Sequence, residues 1–214
     1  MIASTGIEGL YAVTPEEADG ARLLEKVRQA IAGGAGVVQY RNKTASSAAK
    51  AEQVRALLPC CRQAGVPLII NDDLELALHS GADGLHLGRE DGDLAAARQA
   101  LGNERLLGAS CYDRMELAER AVALGADYVA FGSVFGSSTK PAAVRAPLDL
   151  FGRARTRLAV PLVAIGGITP ENAGQIIAAG ADALAVISAL FDAEDVQSAA
   201  RRFSILFEKR LHRS

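Results

Sequence analysis

Eight short runs rich in Val, Ile and Leu recur along the 214 residues, each followed by a longer stretch mixing apolar and charged positions. This alternation constrains the fold more than any other feature. Strands that read as nearly unbroken apolar runs are covered on both faces, and the intervening helices are what covers them. The runs fall at residues 9–13, 36–41, 67–71, 84–87, 106–110, 128–131, 161–165 and 183–187. After the first run, Thr14 is placed to cap a helix, Pro15 suits its first turn, and Glu16 and Glu17 complement the positive end of its dipole. Thr169-Pro170-Glu171 repeats the device before the seventh helical stretch. A Gly-Ala-Asp triplet stands directly before a strand at 81–83, 125–127 and 180–182, and glycine suits the left-handed residue that ends a helix. The triplets lie 44 and 55 residues apart, about two units each if a barrel of roughly 250 residues divides into eight. The sequence thus predicts an α/β chain, a single (β/α)8 TIM barrel forming one domain over residues 1–214. A doubly wound open sheet shares the alternation, but it needs fewer strands and normally carries a glycine-rich turn after the first, where this chain has Val13-Thr14-Pro15.

Half of the residues are apolar and 22% are charged, enough to build a substantial core. The formal net charge of −2 supplies no global basic field for a nucleic acid, although 23 Lys and Arg can form a local anion site. No apolar run approaches the roughly 20 residues that cross a bilayer, and the first residues lack the basic and apolar regions of a signal peptide. The expectation is a soluble cytoplasmic protein with no membrane or nucleic-acid partner. Cys60, Cys61 and Cys111 offer neither zinc-ligand nor CxxC spacing, so reduced thiols are expected. The sequence leaves room for a homo-oligomer without fixing one.

In a barrel of this kind, chemistry gathers where strands end and the following loops begin. Alternation along the second strand puts Val37, Gln39, Arg41 and Lys43 on one side. Arg41 can clamp phosphate oxygens, Lys43 adds a point charge, and Gln39 offers a donor and an acceptor to a heterocycle; a solvated loop is the competing reading. The third strand ends in Asn71-Asp72-Asp73, and the fourth runs through Gly88-Arg89-Glu90 to Asp91. Asp72 and Asp91 are the expected Mg²⁺ ligands, since Mg²⁺ takes a few carboxylates together with water and substrate phosphate oxygens. Asp73 reads as a helix cap and Glu90 as solvent-facing. His86, between Leu85 and Leu87, reads as a hydrogen-bonded wall residue; His79 and His212 read as structural or exposed.

Ser110 can donate to a phosphate oxygen from the fifth strand's exit, while its neighbour Cys111 reads as packing. The stretch from Gly132 to Pro141 is rich in glycine and hydroxyls and carries Lys140, which can meet the charge of a departing anion. An inert loop is the alternative there. Gly166, Gly167, Ile187 and Ser188 follow strands seven and eight, where this fold recurrently cradles phosphate.

Taken together, these residues resemble the thiamine phosphate synthase family over nearly the whole chain. The resemblance rests on Val38-Gln39-Tyr40-Arg41-Asn42-Lys43, Ile70-Asn71-Asp72-Asp73, His86-Leu87-Gly88-Arg89-Glu90-Asp91, Gly108-Ala109-Ser110, Ser137-Ser138-Thr139-Lys140, Ile165-Gly166-Gly167-Ile168-Thr169 and Ile187-Ser188. It implies condensation of an aminopyrimidine diphosphate with a thiazole phosphate, with loss of pyrophosphate and Mg²⁺ as cofactor. Substrate contacts are implied for Gln39, Tyr40, Arg41, Asn42, Lys43, Asn71, Ser110 and Lys140 on the pyrimidine side. On the thiazole side they are implied for Ser137, Ser138, Thr139, Gly167, Ile187 and Ser188, with Gly166 supporting the turn. Lys140, Arg41, Lys43 and Ser110 are the implied catalytic residues and Asp72 and Asp91 the implied metal ligands. Two positions depart from the pattern: Gly136 stands where relatives often carry proline, and Ser137 where many carry threonine. The implied chemistry is dissociative and needs no protein nucleophile, which agrees with the absence of a persuasive Ser/His/Asp or Cys/His arrangement. Two other readings stay open, a thiazole tautomerase of the same barrel family and a non-catalytic phosphate-binding regulatory barrel.

Overall fold

Eight parallel strands close into a barrel in the order β1 to β8, and each is followed by helix in the computed structural model, which describes residues 6–136 and 145–211. The strands are β1 (Gly9–Val13), β2 (Ala35–Tyr40), β3 (Leu68–Asn71), β4 (Gly84–Leu87), β5 (Leu106–Tyr112), β6 (Tyr128–Gly132), β7 (Leu162–Ile165) and β8 (Ala183–Val186). The helices are α1 (Gly20–Ala32), α2 (Ser47–Ala64), α3 (Leu74–Ser80), α4 (Leu94–Leu101), α5 (Met115–Ala123), α6 (Asp149–Arg155), α7 (Pro170–Ala179), the short α8 (Ser188–Phe191) and α9 (Val196–Leu211). Each predicted strand is present within two residues of its expected ends. The apolar residues divide into two bodies. A large layer lies between strands and helices, and a smaller cluster inside the barrel includes Tyr11, Val37, Ile69, Tyr128, Val163 and Ala183.

The first helix starts later than the sequence suggests. Asp19, not Thr14, caps α1, its carboxylate accepting from the amides of Ala21 and Arg22. The Thr14 hydroxyl is buried and committed elsewhere, donating to the Arg41 carbonyl at 3.0 Å and accepting from the Arg41 amide at 2.8 Å. It thus ties together the exits of β1 and β2. The signal at α7 holds, with Pro170 in the first turn and the Thr169 amide donating to Asn172 Oδ1. Asp73 caps α3, as expected.

The three Gly-Ala-Asp triplets perform one task at the opposite end of the barrel. Gly81, Gly125 and Gly180 hold left-handed backbone at φ 73°, 92° and 114°, which glycine adopts without a Cβ penalty. Each aspartate then accepts from the amide at the start of the preceding odd strand and returns its own amide to the same residue: Asp83 with Leu68, Asp127 with Leu107, Asp182 with Leu162. Arginines from α2, α4 and α6 donate to the three glycine carbonyls, Arg62 to Gly81, Arg98 to Gly125 and Arg155 to Gly180. Where a fourth copy would fall the chain reads Gly34-Ala35-Gly36, without the carboxylate. There α9 supplies the closure, the Ser204 hydroxyl donating to the carbonyls of Gly33 and Gly34.

Candidate active site

Alternation and closure together determine what the barrel mouth contains. Inward-facing side chains at the strand exits line a cavity of about 530 Å³ at the carboxyl ends of the strands. Gln39, Arg41 and Lys43 reach it from β2 and the loop beyond, Asn71 and Asp72 from β3, Asp91 from the loop after β4, and Ser110 from β5. Gly166, Gly167, Ile187 and Ser188 close the far side. Ser137, Ser138, Thr139 and Lys140 lie outside the described residues.

Two expected contacts are corrected by the fold. The period of two that points Gln39 and Arg41 inward points Tyr40 and Asn42 outward. The Tyr40 hydroxyl donates to Gln53 Oε1 at 2.7 Å, under α2. The Asn42 amide donates to the Glu17 carbonyl and to Gln53, and its oxygen accepts from the amides of Thr44 and Ala45. Both side chains shape the loop from behind, and neither lines the cavity.

The cations stand beside anions. The Lys43 ammonium lies 3.0 Å from Asp72 Oδ2, and Arg41 Nη1 lies 3.1 Å from Glu16 Oε1. Asp72 itself adopts φ 63°, a left-handed conformation uncommon for a residue with a Cβ and found where surrounding structure enforces it. Its amide donates to the His86 carbonyl, which helps to hold that turn. The Asp72 and Asp91 carboxyls lie close enough that each shifts the other's affinity for a proton. Burial raises the Asp72 carboxyl, but its interactions with Asp91 and Lys43 outweigh this and hold it below the usual carboxylate range. Burial, followed by the neighbouring Asp72 carboxylate, lifts Asp91 above that range. Such a pair carries a proton or a cation between its oxygens, because two adjacent anions repel. Gly88 fits closely beneath: its amide donates to Asp91 Oδ2 at 2.9 Å, and a Cβ there would stand 2.4 Å from that oxygen.

The floor holds a polar chain absent from the expected site. Gln39 Nε2 donates to the Tyr11 hydroxyl at 2.9 Å, Tyr11 and Tyr128 hydroxyls meet at 2.8 Å, His86 Nδ1 lies 3.1 Å from Tyr128, and His86 Nε2 lies 2.9 Å from Ser110 Oγ. Burial raises both phenols and lowers the His86 imidazole to about 4, so all three are neutral near pH 7. His86 is thus the hydrogen-bonded wall residue that its place in a strand suggests. Tyr11 and Tyr128 lie within the apolar runs of β1 and β6, and barrel closure brings these two strands within reach of each other. Cys111 is buried behind β5, its thiol raised by burial to about 12, and has no part in the cavity.

The loops after β6 and β7 are joined by backbone bonds from Val134 to Ile165 and from Phe135 to Gly166. Gly166 and Gly167 take φ 102° and 62°; a Cβ on Gly166 would meet Ser133 Oγ at 2.0 Å, and one on Gly167 the Gly136 carbonyl at 2.3 Å. Only glycine fits this close pairing.

These features define a class, the (β/α)8 barrels with a cationic, oxygen-rich cavity at the carboxyl ends of their strands. A family model described as thiamine monophosphate synthase matches residues 10–190, and the chain belongs to that family. Thiamine-phosphate synthase of Methylobacillus flagellatus is 56% identical over 201 residues, covering 94% of this chain and 96% of the relative. That of Aromatoleum aromaticum is 54% identical over 204 residues, covering 95% and 98%. Among solved structures, thiamine phosphate pyrophosphorylase from Pyrococcus furiosus superposes with a TM-score of 0.85 at 33% identity, covering 95% of this chain and 96% of that one.

Proposed function

We propose that this chain, acting as a single barrel domain, is a thiamine phosphate synthase: a transferase that joins an aminopyrimidine diphosphate to a thiazole phosphate and releases pyrophosphate. The observation that carries this reading is the convergence of Gln39, Arg41, Lys43, Asp72, Asp91 and Ser110 on one cavity that Gly166, Gly167 and Ser188 close from the other side. One flank offers cations and paired carboxylates to a diphosphate, and the other offers bare backbone to a second phosphate.

The donor set suits Mg²⁺. Asp72 and Asp91 are hard oxygen ligands already facing one another, and among the described residues no cluster of three or more His, Cys, Asp or Glu side chains forms a complete protein cage. Mg²⁺ takes such partial sites, with water and substrate phosphate filling the remainder. When bound there it would neutralise charge on the diphosphate oxygens. The chain's own residues do the rest. Arg41 binds the diphosphate, Lys43 exchanges Asp72 for a phosphate oxygen, and Ser110 donates to the leaving group. Lys140, carried over from the family resemblance, adds a further positive charge to it. The bond from the pyrimidine methylene carbon to the diphosphate oxygen breaks with its electron pair leaving on diphosphate. The thiazole nitrogen's lone pair then forms the new carbon–nitrogen bond. Donors fixed before the reaction stabilise the growing charge without reorganisation. Among the described residues no helix is long and apolar enough to cross a membrane, and we place the enzyme in the cytoplasm.

Incubation of the protein with both substrates and Mg²⁺, followed by mass detection, tests the reading. Thiamine phosphate and pyrophosphate in equal amounts are expected. Isomerisation of the thiazole phosphate alone would identify a tautomerase, and binding without product a regulatory barrel.

A further inference from the structure

The chain Gln39–Tyr11–Tyr128–His86–Ser110 spans the barrel floor, and its members are neutral groups with a limited number of protons to donate. A phenol has one proton, and a neutral imidazole has one. Tyr11 accepts from Gln39 Nε2, so its own proton goes to the Tyr128 oxygen. Tyr128 in turn gives its proton to His86 Nδ1. The imidazole proton then resides on Nε2, aimed at Ser110 Oγ. Ser110 accepts that bond and keeps its own hydroxyl proton unspent, facing the cavity. Turning the Gln39 amide over would reverse every link and spend the Ser110 proton on His86. The orientation of one amide thus decides whether a hydroxyl on the other side of the floor is a donor or an acceptor.

We infer that Tyr11, Tyr128 and His86 are positioning residues that form a directed hydrogen-bond chain, holding Ser110 as a donor toward an acceptor-only group such as a diphosphate oxygen and fixing the amide of Gln39. None of the three needs to touch the reacting atoms. The same sense leaves Gln39 with a free amide oxygen and a second N–H, an acceptor and donor side by side for a heterocycle edge. The functional part of this inference rests on the proposed reaction. The direction of the chain does not, because it is a property of the protein alone.

Imidazole ¹⁵N NMR of the full-length protein reads the direction without any substitution. The Nε2–H tautomer of His86, with Nδ1 bare, is expected; the Nδ1–H tautomer would overturn the inference. Kinetics of Tyr128→Phe, alone and in a Ser110→Ala background, read the functional link. The phenylalanine ring keeps the packing on Gly108, which lies against the tyrosine ring. Tyr128→Phe is expected to lower kcat about tenfold with little change in KM, and to change kcat less than about twofold once Ser110 is alanine. Multiplicative losses would mean that Tyr128 does not act through Ser110, and the inference would fail. A second pair covers the case in which Tyr128→Phe does not fold. His86→Gln can accept from Tyr128 and donate to Ser110, so it should retain kcat within about threefold. His86→Leu should lose about tenfold. Equal activity in both would again reject the chain. If the wild-type protein forms no thiamine phosphate, the proposed reaction fails while the tautomer measurement still decides the direction.

Discussion

Asp72 concentrates several constraints in one residue: a left-handed backbone, an ion pair with Lys43, and a carboxylate facing Asp91. Asp72→Ala is expected to raise the half-saturating Mg²⁺ concentration about tenfold or more, judged by the usual cost of disturbing a metal's ligands. A Mg²⁺ titration of initial rates checks this, and an unchanged curve would remove Asp72 from the site. The position was legible in the sequence because two neighbouring strands end in acids. Its strain was not, since nothing in Ile70-Asn71-Asp72 encodes a positive φ. Alternation also contained the correction to the motif. If Gln39 and Arg41 point inward, Tyr40 and Asn42 point outward, and the resemblance blurred a distinction that strand geometry makes. Thr14 misled for a different reason. A hydroxyl before Pro-Glu-Glu is a good cap, but here its hydrogen bonds cross to β2, and local patterns do not register a partner 27 residues away.

At the scale of elements, the loops after β6 and β7 behave as one unit, joined by backbone bonds and by the close approach of Gly167 to Gly136. Gly167→Ala introduces a Cβ 2.3 Å from a carbonyl oxygen at φ 62° and forces the loops apart. KM for the thiazole phosphate should rise about tenfold while KM for the pyrimidine diphosphate stays within about twofold, because misplacement of a positioning element falls on the substrate it holds. Steady-state kinetics with each substrate varied separately tests this. The Gly-Ala-Asp triplets make a contrasting prediction at the far end of the barrel. Asp83→Ala leaves the Leu68 amide without its acceptor and should cost about 1–3 kcal/mol. The urea midpoint should fall at constant m-value, with both KM values unchanged. The repeat was visible in the sequence as a glycine signal. The work of the aspartate was not, because its partner is the start of the preceding odd strand.

At the scale of the whole molecule, the neutral floor makes stability depend on pH. Burial lowers His86 to about 4 from an ordinary value near 6.5. Below about pH 6.5 the unfolded chain binds a proton that the native state refuses, so stability falls with pH until the native imidazole also titrates near 4. The loss over that window is about 3 kcal/mol from this group. Urea unfolding in metal-free buffer at pH 7 and pH 4.5 should show a drop that His86→Gln reduces; equal drops in both proteins would mean that another group controls acid stability. Order of strands and placement of polar exits were readable along the chain, since both are written locally. The floor was not, because Tyr11 and Tyr128 become neighbours only once the sheet has curled around on itself.

Ser204 completes the quarter of the barrel that lacks its own aspartate, and it lies 171 residues beyond Gly33, the carbonyl it secures. During synthesis three of the four seams can be sealed by residues within about thirty positions of one another. The fourth waits for α9, a helix made only after all eight strands. A nascent chain halted before that helix therefore carries a β1–β2 seam without its Ser204 clasp, more open there to a passing apolar strand or chaperone.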